Sequence, residues 1–179
     1  MSDFEFEGFP KIARWSREII ITEKLDGTNA QVIIEGDKIG AGSRNRLITP
    51  EDDNYGFARW VQENRETLIK DLGDGRHFGE WFGLGIQRTY DMKVKQFALF
   101  NTTRWKDQTF ATPNLTVVPE LYCDVMDANE IDICMTRLKR YGSVASEGFM
   151  RPEGIIIFHT AARTMFKKTF EKDSEGKGT

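Results

Sequence analysis

Short runs of β-branched residues dominate the first part of the chain. Ile19-Ile20-Ile21-Thr22 predicts a strand, and residues 30–34 predict a second one. Between them, the segment Lys24 to Asn29 interrupts the hydrophobic pattern with a glycine. Residues 35–38 then favour a tight turn into a third short strand. We therefore expect a strand, a tight connection, and a second strand that continues into a hairpin.

Two longer segments carry helix signals. Thr49 can cap a helix and Pro50 suits its first position, and a partial apolar stripe follows as far as Leu72. Asp127 begins a capping-box pattern whose helix runs through Tyr141 and ends at Gly142. Further strands are predicted at residues 78–82, 96–100, 154–159 and 164–170. Strands outnumber helices without strict alternation, which predicts an α+β fold of mainly antiparallel sheets flanked by helices.

Length and composition predict one domain. The chain has 179 residues, enough for a single core, and no linker divides it. We expect residues 1–173 to form that domain and residues 174–179 to be a disordered tail. No apolar run approaches the roughly 20 residues of a membrane-spanning helix. The acidic N-terminus lacks the order of a secretory signal, so we expect a cytoplasmic protein without a membrane partner.

The charge of the chain does not decide whether its partner is a nucleic acid. The net charge is −3 and the isoelectric point is about 5.5, whereas affinity for nucleic acid normally comes from basic surface. Basic residues nevertheless cluster near Arg137 and again between Arg163 and Lys172. Such clusters are usually solvated faces, so charge alone neither supports nor excludes a nucleic-acid partner.

The segment that most strongly suggests catalytic chemistry is Glu23-Lys24-Leu25-Asp26-Gly27-Thr28-Asn29. It places a lysine where a strand gives way to a turn, and Gly27 allows close approach of the backbone to a ligand. An uncharged lysine amine is a nucleophile, and burial beside cations favours that form. A surface hairpin with a solvated lysine is the alternative, and it is the stronger reading of this segment taken alone.

Lys-x-Asp-Gly-x-Asn resembles the nucleotidyl-acceptor motif of the covalent nucleotidyltransferases, which include ATP-dependent DNA ligases, RNA ligases and mRNA capping enzymes. Five further segments resemble the later motifs of that superfamily, in its order: Ser43-Arg44-Asn45-Arg46, Phe78-Gly79-Glu80-Trp81-Phe82-Gly83, Phe97-Ala98-Leu99-Phe100, Pro152-Glu153-Gly154-Ile155-Ile156-Ile157 and Phe166-Lys167-Lys168-Thr169-Phe170. The resemblance spans about residues 20–172, and the amino-acid sequences of the first and third motifs are most similar to those of the RNA ligase family. It implies a nucleotidyltransferase (adenylation) domain, without the OB-type domain that follows in many relatives.

The resemblance implies a nucleotide site. Lys24 would be the nucleophile, and Thr22, Glu23 and Phe97 would surround the base. A strand phenylalanine is more often a core residue, which is the alternative for Phe97. Three further side chains would bind the nucleotide: Asn29, Arg44 and Glu80. Arg44 would contact the ribose or a phosphate, and Glu80 would accept a hydrogen bond from a ribose hydroxyl.

The resemblance also implies residues that would neutralise the negative charge of the nucleotide phosphates. Glu153 would position a divalent cation, Mg²⁺ or Mn²⁺, or would orient Lys24. Lys167 and Lys168 would neutralise the α-phosphate. The family usually has two lysines one residue apart in this motif, whereas here they are adjacent, so strand alternation sends them to opposite faces. Only one can then face the phosphate, and we favour Lys167, with Thr169 or Phe170 at the other position.

The implied function is an ATP-dependent RNA ligase that forms a covalent lysyl-AMP intermediate and seals 5′-phosphate and 3′-hydroxyl ends. A DNA ligase, a capping-type nucleotidyltransferase that uses GTP, and a non-catalytic nucleotide- or RNA-binding module are the alternatives. The RNA substrate can be a nicked duplex or single-stranded ends. Since no C-terminal domain fits in 179 residues, a protein partner that supplies RNA binding is a further expectation.

Overall fold

A computed structural model describes residues 4–173, in which ten strands and four helices follow one another. The predicted tail, residues 174–179, lies outside the described residues. The elements are β1 (Glu18–Lys24), β2 (Thr28–Glu35), β3 (Lys38–Gly42), β4 (Leu47–Ile48), α1 (Phe57–Glu63), α2 (Arg65–Leu72), β5 (Gly75–Gly83), β6 (Lys95–Leu99), α3 (Thr102–Trp105), β7 (Leu115–Val117), β8 (Glu120–Val125), α4 (Ala128–Tyr141), β9 (Gly154–His159) and β10 (Thr164–Thr169).

The strands form two sheets. The first has the order β10-β9-β1-β8, and the second has the order β4-β3-β2-β5-β6-β7. All neighbouring strands are antiparallel except β6 and β7, which are parallel. The α+β prediction is therefore confirmed. Within residues 4–173, no helix combines the length and apolarity needed to cross a membrane.

Each sheet buries one face against helices. Alternate residues of β1 and β9, such as Ile19, Ile21 and Ile155, pack against Met135 and Leu138 of α4. In the second sheet, alternate residues of β2, β5 and β6 pack against α1 and α2 in a larger core. Because alternation sends the remaining residues to the opposite faces, each sheet keeps one face for other contacts.

The prediction that a helix begins at Thr49-Pro50 is wrong. Thr49 instead pairs with Asp52 in a β-bridge, and the first helix begins at Phe57. Asp53 determines this start, because its carboxylate accepts hydrogen bonds from the backbone N–H of Ala58 (2.8 Å) and Arg59 (3.0 Å). It satisfies donors that the first turn of a helix leaves unpaired. The α4 prediction is confirmed, with Asp127 as its N-cap.

Candidate active site

Lys24 ends β1 and meets an acid that is distant in sequence. In the sheet register, Lys24 lies opposite Gly154, so the antiparallel pairing places Glu153 beside it. Lys24 Nζ lies 2.6 Å from Glu153 Oε2, and the two side chains are only 22% and 19% exposed. The lysine is therefore part of a half-buried ion pair rather than a solvated hairpin side chain.

The turn after Lys24 is tied to the second sheet. The backbone N–H of Gly27 donates to Glu80 Oε1 (3.0 Å), and Asn29 Nδ2 donates to Glu80 Oε2 (2.9 Å). A side chain at Gly27 would collide with the carbonyl oxygen of Trp81 in β5. Glycine is therefore required here by the close approach of two backbones.

Glu80 is a buried carboxyl group of β5 that accepts hydrogen bonds from this turn. Burial raises the pKa of Glu80 to about 7, although the hydrogen bond from Gly27, the charge of Lys24 and the hydrogen bond from Asn29 act in the opposite direction. Arg44 Nε donates to Asn29 Oδ1 (2.9 Å), which extends the chain of contacts from the acid to a guanidinium. Three residues that the sequence singled out are thus in direct contact, next to the Lys24 turn.

Strand alternation separates the two adjacent lysines. Lys167 lies opposite Ile156, which in turn lies opposite Thr22, so these three residues share the sheet face of Lys24. Lys168 belongs to the opposite face. Its Nζ donates to Asp132 of α4 at 3.3 Å. Of this pair, only Lys167 is on the side of the sheet that carries the candidate nucleophile.

The side chain of Glu23 faces away from Lys24. Its Oε2 accepts hydrogen bonds from the backbone N–H of Val144 (2.8 Å) and Ala145 (3.1 Å), in the loop after α4. Its Oε1 is buried without a hydrogen-bond partner among residues 4–173. Burial raises the pKa of Glu23, with Ser143 and the two backbone groups acting against it. Alternation along β1 thus directs the carboxyl group of Glu23 to the α4 side, away from the face that carries Thr22 and Lys24.

Phe97 needs correction. It is fully buried in the helix-covered core, where its ring centroid lies 5.0 Å from Phe57 and 5.9 Å from Trp60. It cannot stack on a ligand from that position. Phe100, three residues later, is on the other side: its backbone N–H donates to Phe78 O, and it continues the face that Ala98 shares with Glu80. Phe100 is 43% exposed, and Phe78, two residues before Glu80 on the same face of β5, is 53% exposed, so both aromatic side chains are accessible on the Glu80 face.

An irregular loop between β5 and β6 supplies contacts that the sequence did not indicate. Arg88 Nε donates to Asp26 Oδ2 (2.8 Å), and its Nη1 donates to the carbonyl oxygen of Arg151 (3.1 Å). Tyr90 Oη accepts from the backbone N–H of Asp26 (2.8 Å). Positive φ angles at four non-glycine residues mark a constrained backbone: Gln87, Thr89, Tyr90 and Asp91. No periodicity or turn motif identifies such a loop, so only the structure reveals it.

The acids near Lys24 allow a limited metal site. Among residues 4–173, no three His, Cys, Asp or Glu side chains cluster as a set of metal ligands. Glu153 contributes one carboxylate close to Lys24, the candidate nucleophile. Mg²⁺ is commonly held by one or two carboxylates together with substrate phosphate oxygens and water. Glu153 therefore fits a cation that binds together with a nucleotide, rather than one held by the protein alone.

Comparison with known proteins identifies relatives. A family model for RNA ligases matches residues 17–169. A Naegleria gruberi RNA ligase variant with ATP and Mn is 19% identical, with a TM-score of 0.61, over 86% of this chain and 49% of that chain. An apo variant of the same ligase is 20% identical, with a TM-score of 0.61, over 87% and 50%. The ligase with PPi is 20% identical, with a TM-score of 0.59, over 86% and 50%. The chain thus spans about half the length of the solved ligases that share its fold.

Proposed function

The chain belongs to the RNA ligase family, and on this basis we propose that it is an ATP-dependent RNA ligase that first transfers AMP to Lys24. The observation that carries the proposal is the 2.6 Å contact of Lys24 Nζ with Glu153, beside the connected group formed by Glu80, Asn29 and Arg44. We assign the chemistry to one adenylyltransferase domain, residues 1–173.

Covalent transfer requires the Lys24 amine in its uncharged form. In its ion pair with Glu153, the amine is held as an ammonium group. A divalent cation, Mg²⁺ or Mn²⁺, bound at Glu153 would supply positive charge for the phosphate oxygens. Once Lys24 Nζ has released one proton to water, its lone pair attacks the α-phosphorus of ATP, the N–P bond forms, and pyrophosphate leaves with the electrons of the broken P–O bond. The product is lysyl-AMP, a phosphoramidate.

The remaining residues divide between the ribose, the base and the phosphate. Ionised Glu80 accepts from a ribose hydroxyl, while Asn29 and Arg44 complete that side of the nucleotide. Phe100, rather than Phe97, stacks on the base, since it is exposed on the Glu80 face.

The phosphate contact falls to Lys167. It shares the Lys24 face, whereas Lys168 is paired with Asp132 on the α4 side. A cation positioned before reaction stabilises the negative charge that develops as the amine attacks. Thr169 lies on the same face as Lys167 and opposite Gly154, so it occupies the position of the second lysine of the family motif.

The labelling experiment tests the first step directly. The protein is incubated with α-labelled ATP and Mg²⁺ or Mn²⁺ and then separated on a denaturing gel. We expect label that survives denaturation in the wild type and in Lys168→Ala, and that disappears in Lys24→Ala. A wild type without covalent label, or a labelled Lys24→Ala variant, would contradict the proposal. Preference for GTP would favour a capping-type enzyme.

Sealing is tested separately. The labelled protein receives substrates that carry a 5′-phosphate and a 3′-hydroxyl, as nicked duplexes and as single strands, made of RNA or of DNA. We propose that AMP passes to the 5′-phosphate and that the 3′-hydroxyl then displaces it. Joined RNA is the expected product. Joining of DNA alone would favour the DNA ligase alternative.

A further inference from the structure

The residues before β1 form an exposed arm. Residues 4–14 have no helix or strand, and every residue from 4 to 18 is solvent-exposed. Five large apolar side chains are between 65% and 95% exposed, although such residues are normally buried: Phe4, Phe6, Phe9, Ile12 and Trp15. Apolar side chains repeatedly left in water along one segment indicate an interaction site.

The arm has a regular pattern. Four of its apolar residues recur every three positions: Phe6, Phe9, Ile12 and Trp15. Its three basic residues also recur every three positions: Lys11, Arg14 and Arg17. An extended chain of the polyproline type has three residues per turn, and Pro10 favours it. In that conformation, the two sets form adjacent stripes, one apolar and one basic.

The part of the arm nearest β1, residues 8–17, differs in charge from the rest of the chain, while Glu5 and Glu7 precede it. Residues 8–17 contain three basic and no acidic residues, a charge of +3. Because the whole chain carries −3, the remaining residues carry −6. A protein whose other surfaces are acidic on balance needs local basic sites to hold a phosphate backbone.

The root of the arm is fixed to the fold. The backbone N–H of Ala162 donates to His159 Nδ1 (3.1 Å), so the ring proton is on Nε2, which donates to the carbonyl oxygen of Trp15 (2.9 Å). The carbonyl oxygen of Arg17 accepts from Met126 N–H (2.9 Å). The arm therefore leaves the sheet at the start of β1. Lys24 is at the other end of that strand, about 20 Å away at about 3.3 Å per residue.

We propose that residues 8–17 of the arm bind single-stranded RNA about 20 Å from the nucleophile. Its basic stripe contacts phosphates, while Phe9, Ile12 and Trp15 contact bases. Alternating aromatic and basic groups bind single strands in this way, because every base offers a flat face for stacking. This inference rests on the proposed function, since it takes the bound strand to be the RNA that the site seals.

The test compares two variants that each lose three positive charges. One is Lys11→Gln/Arg14→Gln/Arg17→Gln. The control is Arg137→Gln/Lys139→Gln/Arg140→Gln on exposed positions of α4. Binding of a fluorescent single-stranded RNA with a 5′-phosphate is measured by anisotropy over a range of salt concentrations. Each phosphate contact contributes about 0.7 to the slope of log affinity against log salt, so the arm variant should lose about 2 from that slope. The control should keep it.

A second variant tests the apolar stripe. Phe9→Ala/Ile12→Ala retains all three charges, so it should bind the same RNA about tenfold more weakly with an unchanged salt slope. Unchanged RNA affinity in both arm variants would overturn the proposal. So would a wild-type dimer, seen by sedimentation, that Phe9→Ala/Ile12→Ala dissociates while RNA binding persists, because the stripe would then join two copies of the chain.

Covalent labelling with α-labelled ATP in the absence of RNA separates this proposal from the one on which it rests. Both arm variants should be labelled at the wild-type rate, since the arm begins at the opposite end of β1 from Lys24. Normal labelling with unaltered RNA affinity would refute the arm alone. Absence of labelling in the wild type would refute the ligase proposal.

Discussion

Replacing Glu80 with glutamine should change how the stability of the protein depends on pH. The carboxyl group is buried between Gly27 and Asn29, and burial raises its pKa from 4.5 to about 7. One pKa unit corresponds to about 1.4 kcal/mol. The folded protein therefore binds this proton about 3 kcal/mol more favourably than the unfolded chain. The stabilisation is complete below about pH 4.5 and is lost as the pH rises through about 7.

Glu80→Gln cannot titrate at this position, so it avoids that loss. Its carbonyl oxygen can accept from Gly27 N–H, but its amide group faces Asn29 Nδ2, another donor, which costs about 1 kcal/mol at every pH. We expect the variant to be about 1 kcal/mol less stable than wild type near pH 4.5 and about 2 kcal/mol more stable near pH 8. Urea unfolding of both proteins at the two pH values measures this reversal, and titrations that they share cancel in the difference.

Glu120→Gln provides a control of opposite sign. Burial by itself would raise the pKa of Glu120, but the hydrogen bonds from Thr102 and Lys106 outweigh this effect and lower the pKa. The stability that Glu120 contributes is therefore present at neutral pH and is lost as the pH falls through its folded pKa. A difference between Glu80→Gln and wild type that is the same at both pH values would refute the reasoning, because Glu80 would then be solvated and not buried as described.

Three further predictions concern the neighbourhood of the nucleophile. Gly27→Ala should lower stability by about 1–3 kcal/mol, seen as a lower Tm, because its Cβ meets the backbone of β5; Gly40→Ala, which has open space, should not. Lys167→Ala should slow covalent labelling by about 10²-fold or more, while Lys168→Ala should stay close to wild type. Arg88→Gln should slow labelling about tenfold with little change in Tm, because the substitution removes the ion pair that holds the turn at Asp26. Equal labelling of wild type and variant would contradict this positioning role of Arg88.

The sequence was sufficient wherever a local rule decides the structure. The β-branched run predicted β1, and alternation along β10 predicted that Lys167 and Lys168 face opposite ways, as their register and the Asp132 contact show. Alternation also sends Phe97 and Phe100 to opposite faces of the sheet. The sequence pattern does not show which of these faces the helices cover, so it cannot tell a buried phenylalanine from an exposed one until α1 is placed.

Other features depended on contacts between distant segments. The helix predicted at Thr49 starts at Phe57, because Asp53 caps it from outside the first turn. The side chain of Glu23 is directed to the α4 side by its contacts with a loop about 120 residues later. The roles of Arg88 and Tyr90 arise from an irregular loop without any periodic signal. Each of these outcomes depends on which distant residues a side chain or backbone group contacts, and a single sequence does not show those contacts.

The position of Lys24 would allow a small set of contacts to organise the proposed covalent reaction. β1 lies inside its sheet, paired with β9 as far as Lys24 and with β8 as far as Thr22, so the backbone that leads to Lys24 is restrained on both edges. The pairing with β9 places Glu153 beside the amine, and the turn that follows binds Glu80 of the other sheet. A shift of either sheet would therefore move Glu153 or Glu80 relative to Lys24. The geometry of the site is thus set by the packing of the two sheets, and a packing defect at Gly27 should reduce labelling even with every side chain of the site present.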